Sequence, residues 1–115
     1  MNNDKESTND TQAAELICGL TQAKIDELKN KYGQLTAISL PDEDKHFIFK
    51  KPSMAIMSAV AKAAQKDPIQ ASLVFFKNCL VHGDETAADD IDVFANISPY
   101  LEEIIETKRV EVKNL

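Results

Sequence analysis

The side chains best suited to chemistry in this 115-residue chain are two histidines, two cysteines and a run of carboxylates. Cys79 and His82 are three positions apart, a metal-ligand spacing on one helix face, but no CxxC or HxxxH pair supplies the remaining ligands. Asp84, Glu85, Asp89, Asp90 and Asp92 crowd together after Gly83. A calcium loop needs acids at alternating positions, a central glycine and a closing glutamate, and this stretch has neither of the last two. Asp84 beside Gly83 reads instead as turn chemistry. There is no GxSxG elbow, P-loop or dinucleotide glycine fingerprint. The serines and cysteines have no histidine base at a recognisable spacing, and the carboxylates are too many and too scattered to single out a pair. The expectation is a protein that is not an enzyme, with no catalytic residues, no metal and no cofactor, whose function lies in its surfaces.

The segment that must carry such a surface runs from Asp67-Pro68-Ile69 to Leu80-Val81-His82-Gly83. It reads as one helix, with Asp67 as N-cap, Pro68 at the first position and Gly83 as the left-handed C-cap. Ile69, Leu73, Phe76 and Leu80 form a core-facing stripe. Val74, Phe75, Cys79 and Val81 are also apolar and lie off it. A helix with that much apolar surface is either sandwiched inside the domain or offers its second face to a partner.

The elements around it follow from caps and periodicity. Thr21 caps a helix over 22–32 whose Ile25, Leu28 and Tyr32 share a face, ended by Gly33. Leu35–Leu40 and His46–Lys50 are rich in β-formers and flank the turn Pro41–Lys45, which predicts a β-hairpin. Such a hairpin is marginal alone and must pack on helices. Ser53 caps a Met- and Ala-rich helix from Met54 to about Gln65, suited to close helix packing or to an adaptable docking surface. Lys66-Asp67-Pro68 turns it into the central helix as an αα-hairpin. A short helical piece around Ile91, Val93, Phe94 and Ile97 and a last helix opened by Ser98-Pro99 complete the pattern. The reading is α+β: an N-terminal helix, a β-hairpin, then a small bundle of three to four helices. Residues 1–20 form a flexible polar arm, although Ala13, Leu16, Ile17 and Leu20 suit a helical turn or an apolar patch on it. Residues 21–108 are a single domain, and 109–115 a tail or a short strand.

Composition bounds the class. Apolar residues make up 43% and charged residues 28%, an ordinary globular balance at a length that builds one core. No apolar run reaches the ~18 residues of a membrane helix, and the polar start is no secretory signal, so no membrane is expected. Cys18 and Cys79 read as reduced core thiols in a cytoplasmic protein. The net charge is −6, unevenly spread: residues 45–82 hold six lysines against Asp67 alone, and 83–107 hold eight acids and no base. Opposite blocks of this kind complement each other within a fold or between subunits. The acidic balance and single arginine argue against nucleic acid as a partner.

The run Lys24-Ile-Asp-Glu-Leu-Lys-x-Lys-Tyr-Gly33, the hairpin, Phe49-Lys50-Lys51-Pro52-Ser53 before a helix, and Asn78-Cys79-Leu80-Val81-His82-Gly83-Asp84 together resemble small proteins of tailed bacteriophages and prophages grouped with tail assembly chaperones. The similar stretch covers about residues 24–105. The resemblance implies a holdase-like role in the host cytoplasm: binding an aggregation-prone, helical tail component such as the tape-measure protein until the tube assembles around it. It brings no catalytic motif with it. The client-facing patch expected on this reading is Met54, Met57, Val74, Phe75 and Val81. The alternative is a small structural or adaptor protein that forms a homo-oligomer or bridges virion components. A third reading, an acidic mimic of nucleic acid, is opposed by the basic middle segment.

Overall fold

The computed structural model describes residues 16–105 and 108–115. The expected flexible arm lies, over residues 1–15, outside the described residues. At the end of that stretch Ile17 and Leu20 exchange backbone hydrogen bonds of 2.7 and 2.9 Å. Cys18 and Gly19 between them both have positive φ, the signature of a two-residue turn.

Helix α1 (Gln22–Tyr32) starts where the Thr21 hydroxyl accepts from the Lys24 amide, and Gly33 ends it at φ +83°, its N–H donating to Lys29 O. Strands β1 (Leu35–Leu40) and β2 (Lys45–Lys50) are joined by a 3-10 turn, Pro41–Glu43, and by Asp44 in the left-handed region. Helix α2 (Met54–Ala64) is capped by Ser53 Oγ, which accepts from Ile56 N at 3.1 Å. Helix α3 (Pro68–Cys79) is capped by Asp67, which accepts from Gln70 N at 3.0 Å. A short strand β3 (Leu80–His82), a 3-10 segment (Glu85–Asp89), helix α4 (Ile91–Ile97) and a 3-10 helix (Ser98–Ile104) follow. The α+β class is therefore as expected.

Two boundaries differ from the sequence reading. The central helix stops at Cys79, not His82, because Leu80 turns to extended backbone and pairs with the free edge of β2. Ile48 faces His82 and Phe49 faces Leu80 across an irregular register, making a three-stranded antiparallel sheet in the order β1-β2-β3. Gly83 is therefore not a helix C-cap. It has φ +131°, and a Cβ there would lie 2.9 Å from both His46 O and the Phe47 ring, so the close pass of β2 explains the glycine. The last helix, opened by Ser98-Pro99, is wound as 3-10 directly off α4. The third strand comes from 80–82, and Lys108–Leu115 has no regular structure.

The core sits between the sheet and the helices. All five phenylalanines are buried, with Phe47 and Phe49 of β2 meeting Phe75 and Phe76 of α3 and Phe94 of α4. The intervening Ile48 is also buried, on the opposite face, where Ile25 of α1, Leu35 and Ala37 line a shared cavity with it. Three consecutive buried residues mark β2 as a central strand covered on both sides. Lys50 Nζ lies 5.6 Å from the Tyr32 ring centroid, a cation–π contact between β2 and α1.

Candidate protein-docking surface

Nine of the eleven residues of α2 are apolar, yet none of them is buried. Ile56, Met57 and Val60 pack their inner sides on the core. Ala63 is half-buried and the rest of the helix is exposed, with Met54 84% exposed at its start. The partner helix α3 is treated differently. It is packed by α2, by β2 and by both 3-10 segments of the C-terminal part. Phe75, Phe76 and Cys79 of α3 are buried, whereas Ile69, expected on the core stripe, is 64% exposed. The buried face is thus rotated towards Phe75 and Cys79. Of the two arrangements open to the central helix, the structure shows the sandwiched one.

A groove of about 260 Å³ runs between this helical hairpin and the start of the last 3-10 helix. Val60, Ala71 and Phe75 form one wall, Pro99 and Leu101 the other, and Glu102 sits at the rim. Val60 is the residue that α2 contributes to this groove. A mostly apolar concavity with a polar rim suits the anchor side chains of another protein.

The five residues expected to face a client do not form one exposed patch. Met54 is exposed, and Met57 is half-buried against the core. Phe75 is a core residue, so its assignment to a free patch is corrected: it is buried in the core cluster and lines one wall of the groove. Val74 is half-buried in α3, and Val81 is half-buried in β3, beyond the end of that helix. Pro99 and Leu101 also line the groove, and the one sequence signal at this place is the Ser98-Pro99 helix start.

The fold also assembles polar groups that the sequence spacing hid. Ser39 and His46 are directly paired across β1 and β2, and their side chains hydrogen-bond at 2.8 Å. His46 Nε2 is 2.9 Å from Asp44 Oδ1, so both ring nitrogens have partners. Asp44 is almost fully exposed, and Cys18 Sγ lies 3.9 Å from Ser39 Oγ. This array braces the hairpin end, tying the left-handed Asp44 turn to the opposite strand. His46 and His82 line one cavity of about 300 Å³ with Cys18, Asp44 and Asp84. No group of three or more such side chains among the described residues is close enough to hold a metal ion. Cys79 and His82 do not share a helix face, because the strand begins between them.

The thiols are free. Burial pushes the Cys79 thiol up to about 11, against the smaller opposing pull of Lys50. Asp84 is held below the usual carboxylate range, first by the Thr86 hydroxyl donating at 2.6 Å and then by the Thr86 amide at 2.9 Å. No helix among the described residues is long and apolar enough to cross a membrane. No protein-family model, curated protein or solved structure matches the chain.

Proposed function

We propose that this chain is a non-enzymatic protein-binding module of the tail assembly chaperone type, working in the host cytoplasm to hold an aggregation-prone phage tail component such as the tape-measure protein. One observation carries the reading: α2 is almost wholly apolar and has no buried residue. An isolated domain gains nothing from such a surface and risks aggregation through it, so a partner is the reason to keep it. Small residues along α2 let a second helix approach closely, and Met54 and Met57 adapt to irregular client surfaces. The acidic 3-10 segment Glu85–Asp89 and the rim residue Glu102 keep the complex soluble. The sequence resemblance supplies the biological setting.

The test is co-expression with a phage tape-measure protein, reading the soluble yield of the latter. The full chain should raise that yield, and Met54→Asp together with Ala59→Asp should abolish the gain while leaving the circular dichroism spectrum unchanged. Equal yields with and without the chain would reject the holdase reading.

A further inference from the structure

Among the described residues the sheet has one unguarded edge. β1 is the outer strand, and its six residues, Leu-Thr-Ala-Ile-Ser-Leu, contain no charge, proline or glycine. Edge strands of soluble proteins ordinarily carry lysine, proline or a bulge, because their unpaired N–H and C=O groups are a template for another strand. The edge of β1 has none of these, and the pairing of β1 with β2 runs in unbroken register along its full length.

The same chain carries a segment suited to that edge. Lys108–Leu115 has no regular structure and makes no backbone hydrogen bond among the described residues. Within it Val110 is 79% exposed and Val112 89%. Arg109-Val-Glu-Val-Lys113 alternates charged and apolar residues with the period of a strand. Beside β1, an apolar cavity of about 120 Å³ is lined by Ile17, Ile25, Leu35, Ala37 and Ile48. Leu35 and Ala37 are two apart on one face of β1, the spacing of Val110 and Val112. The other face of β1 packs beside the last 3-10 helix, where Glu102 and Glu103 are exposed. A strand whose valines face the cavity turns Arg109, Glu111 and Lys113 to the other face, where Arg109 is held by Glu111 at 2.7 Å and Lys113 is the cation left for those glutamates.

We infer that the C-terminal segment Lys108–Leu115 of one copy adds as a fourth strand to the β1 edge of a second copy. Among the described residues neither the arm nor the β1 edge has a strand partner, and every copy brings both halves. Main-chain ladder bonds provide the affinity, while the two valines and the flanking charges set the register. Reciprocal exchange between two copies gives a closed dimer, and head-to-tail exchange gives a ring. This association uses the sheet edge and leaves the α2 face free for a client, so it stands apart from the holdase reading.

The experiment measures solution mass by light scattering on four proteins: the full chain, a chain ending at Thr107, the arm variant Val110→Asp/Val112→Asp, and the edge variant Ala37→Lys. Ala37 is exposed, so that variant is expected to fold, and thermal melting checks each one. The full chain should be an oligomer at tens of micromolar, and the other three monomers. Mixing the truncated chain, which keeps the edge, with the edge variant, which keeps the arm, should restore a 1:1 pair. Hydrogen exchange at β1 should slow at least tenfold in the oligomer and in that pair. An oligomer that survives truncation overturns the proposal. So does a monomeric full chain, whether its β1 amides exchange freely or are protected by its own arm.

Discussion

The Phe76 ring stands edge-on to the Phe49 ring, with 5.5 Å between centroids and 69° between planes. Phe47 and Phe94 approach Phe76 at 5.9 Å each, so one side chain of α3 joins the central strand to α4. The favoured tilted and edge-on geometries add to the area that these rings bury.

Phe76→Ala removes the shared ring and leaves a cavity at a fully buried position. The expected cost is about 3–5 kcal/mol, a large part of the stability of a domain this size. Urea denaturation of the variant checks it, with Tyr100→Ala at an exposed site as the comparison, expected to lose less than about 1 kcal/mol. Equal losses at the two positions would contradict the aromatic hub.

Gly83→Ala is expected to destabilise although the residue is exposed. Its φ of +131° strains any L side chain, and the added methyl meets backbone at His46 and the Phe47 ring. A loss of about 1–3 kcal/mol is the range for such backbone strain. Gly33→Ala has a positive φ but open space around it, and should cost less. Thermal melts of the two variants rank them, and the reverse order would remove the close-approach explanation.

Cys79 is expected to resist a thiol reagent at pH 8 in the native protein and to react once the chain is unfolded. Its pH dependence has a definite sign. The native thiol holds its proton up to about 11, against 9.0 for an unperturbed thiol. Stability from this residue is therefore fully present below pH 9 and falls as the pH rises from there through about 11. Urea midpoints between pH 8 and 11 should drop less for Cys79→Ala than for the parent chain. Parallel profiles would show that Cys79 is not the group responsible.

Much of the frame was legible because it is set by local chemistry. Thr21, Ser53 and Asp67 are N-caps in the structure, each accepting from the amide three residues on. Short polar side chains before an apolar run satisfy free helix amides wherever they occur, so sequence suffices to place them. The end of α3 was not legible. Leu80-Val81-His82 suits helix or strand, and only the free edge of β2, brought alongside by the fold, makes extended backbone the better choice.

The Ser39–His46 pair illustrates the same limit. A turn ending at Lys45 sets Ser39 opposite Phe47, whereas the observed strand begins one residue earlier and sets it opposite His46. A one-residue change of register exchanges every cross-strand neighbour. Buried surface is likewise a tertiary matter: Phe75 and Met54 are both apolar helix residues, and one is core while the other stands in water. By itself the sequence determined the helices' starts, the hairpin and the α+β class, since caps, turn residues and periodicity act over a few neighbours. The third strand, the rotated face of α3 and the uncovered side of α2 were decided by tertiary structure, because each depends on which distant segments compete for the same edge or face.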